Sequence, residues 1–223
     1  MANYSIAIDG PGGAGKSTIA KIIAKKLGII YIDTGAMYRA VGLFAVRRGI
    51  DTLDSDALSE VLDEIDIDIE NTDGEMHIFL CGEDVTDKIR TPEISMAASN
   101  VARSVPVRLK LVELQRKLAK KTSVIMDGRD IGSYVLPNAE AKIYLTADVE
   151  DRAKRRYDEL ILKGEKVEFD DVLEDMKKRD FNDSNREFAP LCKAEDAILV
   201  NTTGFELEES VEKLFEIIMS IIA

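Results

Sequence analysis

IDGPGGAGKST, residues 8–18, fits the pattern Gly-x-x-x-x-Gly-Lys-[Ser/Thr] at Gly10, Gly15, Lys16 and Ser17. The run Gly10, Pro11, Gly12, Gly13, Ala14, Gly15 is rich in glycine because its backbone must pass close to phosphates with the N–H groups pointing inward. A helix starting at this point adds favourable partial charge. Lys16 then reaches the β- and γ-phosphates, and the Ser17 hydroxyl, with Thr18 beside it, ligates magnesium. The flanks supply the context that the motif needs. YSIAID (4–9) suits a short, largely buried strand, and the apolar residues of IAKIIAKKL recur near helical spacing until Gly28. Strand, glycine loop and helix in this order predict an α/β fold that binds a nucleoside triphosphate.

The same rhythm continues outward. IIYID (29–33) reads as a second strand, followed by a helix over 36–48 that stops at Gly49. SVIMD (123–127), AKIYL (141–145) and AILV (197–200) alternate with amphipathic stretches such as PVRLKLVELQRKL and LEESVEKLFEII. Strands interleaved with helices imply a parallel sheet covered on both faces, a three-layer α/β/α core. One region breaks the pattern: DIDIENTDGEMHIFLCGEDV (66–85) carries two β-like runs around Asn71, Thr72, Asp73 and Gly74, which predicts an inserted hairpin. A second is the highly charged helical stretch from Glu150 to Arg186, in which Arg152, Arg155 and Arg156 precede a hinge candidate at Gly164. Ion pairs one turn apart on a solvated face account for most of those charges.

Composition narrows the function. A chain of 223 residues with 45% hydrophobic content can bury one substantial core with a small insertion. A formal charge of -12 disfavours a nucleic-acid or anionic-membrane surface, so any phosphate ligand must be met by local basic clusters. MANYSIAIDG lacks the basic flank and long apolar run of a secretory signal, and IIMSIIA at the other end reads as a helix end packed on the core. Cys81 and Cys192 lack metal-ligand spacing and read as free thiols in a reducing cytoplasm.

The motif alone leaves the class open. A GTPase needs Asn-Lys-x-Asp for base recognition, and no Lys follows an Asn. A motor or assembly ATPase needs an arginine finger in trans or a sensor region, and a nucleotide switch needs no working second pocket. A small-molecule kinase needs further anion-binding residues near the C-terminal ends of the strands. Arg39 in DTGAMYRA, and Arg129 with Asp130 in IMDGRDIG, stand at such crossings. Each taken singly reads equally well as a solvated loop or cap residue; their agreement across loops favours the kinase. His77, the sole histidine, lies in the hairpin and reads as a surface strand residue, which disfavours a Ser-His or Cys-His pair. A phosphate acceptor needs no base, since its second pKa is about 6. The remaining task is to hold two anions in line, which suits Lys16, magnesium and arginines.

DGPGGAGKST, DTGAMYRA, GEDVTDKIRTPEIS, DGRDIG, KIYLTAD and RDFNDSNREFAPL (179–191), in this order along essentially the whole chain, resemble the bacterial-type cytidylate kinases. These enzymes move the γ-phosphate of ATP onto CMP or dCMP. The resemblance implies that Thr34, Arg39 and Arg129 lie near the CMP phosphate and that Ser99, Arg108 and Asp130 face the cytosine. A carboxylate accepts from the cytosine amino group, whereas uracil presents a carbonyl oxygen there. It further implies Asp183 at the sugar, Arg179 and Arg186 holding it and the phosphates, Asp127 orienting magnesium through water, and Arg152, Arg155 and Arg156 on a lid over ATP. Lys16, Arg39, Arg129 and Arg155 are the expected catalytic set. The implied division is a P-loop core at 1–34, 100–149 and 166–223, an acceptor region at 35–99 with its β insertion at 64–96, and a lid at 150–165. A monomer with CMP and dCMP as its acceptors is expected. SYVLP after DGRDIG, and Asn201 in VNTT, depart from the family pattern without touching these residues.

Overall fold

A computed structural model of the chain describes residues 3–72 and 75–222. Two compact units emerge, one holding Ile29–Val124 and the other Tyr4–Gly28 together with the chain from Ile125 onward.

The second unit begins with β1 (Ser5–Asp9), buried from Ile6 to Asp9. After the glycine loop comes α1 (Lys16–Leu27), which buries Ile19, Ala20, Ile23 and Ala24 along one face and ends at Gly28 in the left-handed region.

The first unit opens with β2 (Ile30–Asp33) and α2 (Thr34–Arg48). This helix starts two residues before the sequence pattern suggests, because the Asp33 carboxylate accepts the Ala36 N–H at 2.9 Å and caps it. α3 (Ser55–Glu60), capped by Asp54, and a 3-10 turn at Leu62–Glu64 lead to the small sheet. There β3 (Ile67–Thr72) pairs antiparallel with β4 (Glu75–Leu80), Ile67 opposite Leu80 and Thr72 opposite Glu75, and β5 (Glu83–Asp84) adds to β4. Met76, Ile78 and Leu80 of β4 alternate inward, while His77 points out to Asp84, as expected of a surface strand residue. The hairpin is observed; of its expected turn, Asp73 and Gly74 lie outside the described residues. α4 (Pro92–Val101), capped by Thr91, and α5 (Val105–Lys121) complete this unit.

The chain then re-enters the second unit through β6 (Val124–Gly128), wholly buried, and a π-helical turn at Ile131–Val135. β7 (Ala141–Thr146), α6 (Val149–Leu162), α7 (Phe169–Asn185), β8 (Ile198–Asn201) and α8 (Leu207–Ile222) follow. The strands of this unit lie in the order β6-β1-β7-β8. β1 and β7 are parallel with Asp9 opposite Tyr144, and β7 and β8 are parallel with Ile143 opposite Ile198. This sheet with its flanking helices is the α/β core expected from the sequence. The order is out of sequence, so the loops leaving the carboxyl ends of neighbouring strands open a crevice where such sheets bind ligands.

The charged stretch of 150–186 forms two helices, broken around Gly164 at φ 81°. They pack together through Ala153, Leu160, Val172 and Met176, with Tyr157 edge-on to Phe169. On α8, Val211, Leu214 and Ile218 are buried. No described helix is long and apolar enough to cross a membrane.

Candidate active site

In the second unit the glycine loop leaves β1 through Gly10 at φ 149°, where a Cβ would fall 1.9 Å from the Leu145 carbonyl oxygen. Only glycine fits this strand-to-loop corner. Lys16 is 5% exposed and donates from Nζ to the Pro11 carbonyl at 2.8 Å, curling over its own loop. Burial, with Arg129 and Arg179 nearby, pushes its pKa down to about 7 against the pull of Asp127 and Asp9. A di-anionic phosphate group in the loop would reverse that balance. The Ser17 hydroxyl donates to Asp127 Oδ2 at 2.9 Å, which brings two hard oxygen ligands together at the start of α1. Among the described residues no group of three His, Cys, Asp or Glu is placed to hold a metal. This donor set fits a cation that draws most of its ligands from nucleotide oxygens and water, as magnesium does.

The residues after β6 lie against the same loop. Arg129 Nε donates to Asp183 Oδ2 of α7 at 2.7 Å, and both are largely buried. Burial opposes both charges, yet Asp183, Asp127 and Asp180 raise the Arg129 pKa, and Arg129 with Arg179 lowers that of Asp183. A Cβ on Gly12 would sit 3.5 Å from Arg129 Nη2 and 3.8 Å from Arg179 Cδ, so both side chains border the phosphate loop. Asp130 is buried and accepts from Arg186 Nη2 at 3.1 Å, while Arg186 Nε donates to the Ala189 carbonyl at 2.6 Å. The structure thus gathers Lys16, Ser17, Asp127, Arg129, Asp130, Arg179, Asp183 and Arg186 in one unit.

The three arginines of α6 differ from one another. Arg152 is 5% exposed: its Nε donates to the Ala147 carbonyl at 2.8 Å, its Nη1 to the Gly12 carbonyl at 2.9 Å, and its Nη2 pairs with Asp180 at 2.7 Å. It braces the glycine loop from within the protein. Arg155 is half-buried, with Nη2 on the Thr202 carbonyl at 3.1 Å, and Arg156 pairs with Glu159 on its own helix.

In the first unit, Thr34 is buried as the first residue of α2, and Arg39 lies one turn further on. Arg39 Nη2 pairs with Asp33 Oδ2 at 2.7 Å, and Arg90 Nη1 reaches the same oxygen at 3.2 Å. Arg39 Nε is buried without a hydrogen-bond partner among the described residues. Ser99 is half-buried on α4, and Arg108 is fully buried on α5 with its guanidinium 5.6 Å from the Tyr38 ring.

Four residues of this chemistry escaped the sequence reading. Asp33 carried a signal, an Asp immediately before a helix. Arg90 and Asp180 sit among many other charges. Asp9 lies inside the opening motif and reads there only as the last strand residue. Its Oδ1 accepts the Ile131 N–H at 2.6 Å and its Oδ2 the Gly132 N–H at 2.7 Å. Burial pushes its pKa up to about 6, against those two backbone donors.

Residues 6–220 match the family model described as Cytidylate kinase. A protein of Caldicellulosiruptor bescii named Cytidylate kinase is 54% identical over 222 residues, covering 100% of this chain and 98% of that protein. One of the same name from Bacillus subtilis is 50% identical over 212 residues, covering 95% of each. The solved structure of an uncharacterized protein from Eubacterium ventriosum shares the fold at a TM-score of 0.54 and 15% identity, over 98% of this chain and 99% of that one.

Proposed function

The chain belongs to the cytidylate kinase family and phosphorylates CMP and dCMP with ATP, and we propose that the residues described above divide that work as follows. Gly10, Pro11, Gly12, Gly13, Ala14 and Gly15 wrap the triphosphate with their N–H groups, and Lys16 leaves the Pro11 carbonyl for the β- and γ-phosphates. Ser17, with Thr18 next to it, and Asp127 through water hold Mg2+, which supplies positive charge to the phosphate oxygens when bound. Thr34, Arg39 and Arg129 take the acceptor phosphate. Ser99, Arg108 and Asp130 read the cytosine, and Asp183 takes the sugar between the cationic groups of Arg179 and Arg186.

One CMP phosphate oxygen attacks the γ-phosphorus as the bond to the bridging oxygen of ADP breaks. The acceptor is already ionised, so no base is required and no covalent enzyme intermediate forms. The work of Arg129 and Arg39 is to offset the repulsion between two anions and keep them in line. Arg155 and Arg156 close over the donor, excluding water that would otherwise take the phosphoryl group. Arg152 serves the donor through the loop that it braces.

The observation that carries this reading is Arg129: a largely buried guanidinium, fixed by Asp183 and set against Gly12, followed at once by the buried carboxylate of Asp130. A net charge of -12 supports small anionic acceptors over nucleic acid, and a monomer acting in the cytoplasm accords with a chain that carries both sets of ligands itself. The test is ADP production from magnesium-ATP with CMP, dCMP, UMP, AMP, GMP, shikimate or no acceptor. Strong dependence on CMP or dCMP is expected; acceptor-independent ADP release would refute the second site.

A further inference from the structure

Asp9 makes two short contacts, and they go to backbone groups and not to a substrate-facing side chain. Its carboxylate is 3% exposed and receives consecutive backbone N–H groups, Ile131 at 2.6 Å and Gly132 at 2.7 Å. These are the first two residues of the π-helical turn that follows Asp130, and the opening N–H groups of any helical turn lack partners within it. The other end of the turn closes on Asp130 itself, whose carbonyl accepts the Tyr134 N–H at 2.9 Å and the Val135 N–H at 3.0 Å. The backbone that carries the Asp130 side chain is therefore held at one end by the turn's own hydrogen bonds and at the other by Asp9, while Arg186 Nη2 meets its carboxylate at 3.1 Å.

Two features mark this contact as built. A Cβ on Gly132 would stand 3.3 Å from Asp9 Oδ2, with Lys142 Cδ at 3.2 Å on the same point, so the carboxylate approaches where a side chain would crowd it. Asp9 also directly precedes Gly10, so the strand end that launches the phosphate loop is the one that ties down the Asp130 turn.

We propose that Asp9 is a positioning residue for choice of the acceptor base: by fixing the Asp130 turn to the root of the phosphate loop, it gives Asp130 the geometry with which cytosine is told from uracil. The inference rests on the reading of Asp130 as the base-facing carboxylate. An asparagine at 9 keeps one acceptor and turns an amide N–H group toward a backbone N–H, so one end of the turn is pushed away. Loss of one such bond to a charged acceptor corresponds to a change of about tenfold or more in a selectivity ratio.

The experiment compares wild type, Asp9→Asn, Gly132→Ala and Asp130→Ala in the full chain. It measures kcat and KM for CMP and for UMP at saturating magnesium-ATP, KM for ATP at saturating CMP, and thermal unfolding. Asp9→Asn is expected to lower the CMP-to-UMP ratio of kcat/KM about tenfold, chiefly through KM for CMP, with KM for ATP within about twofold of wild type. Gly132→Ala, which crowds the same carboxylate from the other side, shifts the ratio in the same direction and decides the matter if Asp9→Asn does not fold. An unchanged ratio in both, with a lowered ratio in Asp130→Ala, overturns the role of Asp9 and leaves that of Asp130 standing. A fall in kcat with both acceptors and a raised KM for ATP, at constant ratio, assigns Asp9 to the phosphate loop and also overturns it. An unchanged ratio in Asp130→Ala refutes the base-facing assignment, and the inference falls with it.

Discussion

Replacing Arg152 with alanine separates two roles for this arginine of α6. In the structure all three faces of its guanidinium are used inside the protein: the Ala147 carbonyl, the Gly12 carbonyl and the Asp180 carboxylate. Alanine leaves two carbonyls and a carboxylate without their donor. Removing one partner of a buried pair costs about 3–5 kcal/mol. Asp180 keeps 24% of its side chain exposed, so water recovers part of that loss and the low end, about 3 kcal/mol, applies. At about 2–4 °C per kcal/mol for a chain of this size, Tm should fall by about 6–12 °C. KM for magnesium-ATP should rise as well, because Gly12 loses its brace, and Arg152→Lys should restore only part of either loss since one ammonium cannot serve three diverging acceptors. Circular dichroism melting and steady-state kinetics measure both. A Tm within about 2 °C of wild type, with kcat alone reduced, would mean that Arg152 swings free to meet the transferred phosphoryl group. The bracing contacts would then be incidental.

Lys16→Ala should abolish phosphoryl transfer while CMP binding, followed by calorimetry, is largely retained; turnover near wild type would remove Lys16 from the mechanism. Chelation of magnesium should stop turnover, and Asp127→Asn should raise the magnesium concentration for half-maximal rate by about tenfold with little change in Tm, since a carboxylate bridging through water is worth about one charge-assisted hydrogen bond; an unshifted magnesium titration counts against the assignment. For Asp33, burial raises the pKa but Arg39 and Arg90 bring it below that of an unfolded Asp. A depressed folded-state pKa means that its contribution to stability is present above about pH 3.9 and is lost as pH falls through the folded value. Asp33→Asn should therefore destabilise the protein at neutral pH and show a shallower acid-unfolding curve than wild type; parallel curves would contradict the pairing.

What the sequence made legible follows from how chemistry constrains the chain. The glycine loop requires particular residue types at particular spacings, since a Cβ at Gly10 would collide with the Leu145 carbonyl, so its meaning is local and readable. Arg129 and Asp130 were readable for a related reason: they follow a buried strand directly. Asp9, Asp180 and Arg90 work through partners remote in sequence, Ile131 and Gly132 at a separation of more than 120 residues in the first case, and no local pattern encodes such a pairing. The same blindness made Arg152, Arg155 and Arg156 look equivalent. They share one helix and, at i, i+3 and i+4, much the same face of it; what separates them is their partners, the Gly12 carbonyl and Asp180 for Arg152, the Thr202 carbonyl for Arg155 and Glu159 for Arg156, and three of these lie far off in sequence.

The acidic charge of the chain and the placement of its arginines are two sides of one arrangement. Arg129 is held by Asp183, Arg186 by Asp130, Arg152 by Asp180, and Arg39 and Arg90 by Asp33. Each carboxylate fixes the direction of a guanidinium, so little reorganisation is left for the moment when charge builds on the transferred group. Carboxylates also weaken the field that anionic substrates feel, which limits how many can be placed near the donor loop. Lys16 stands outside this pattern: its Nζ is held by a carbonyl and pushed toward neutrality by burial and by Arg129. A phosphate beside it would restore its charged form. On the proposed reading ATP completes the charge pairing of Lys16, while the arginines, already paired, keep their own directions fixed.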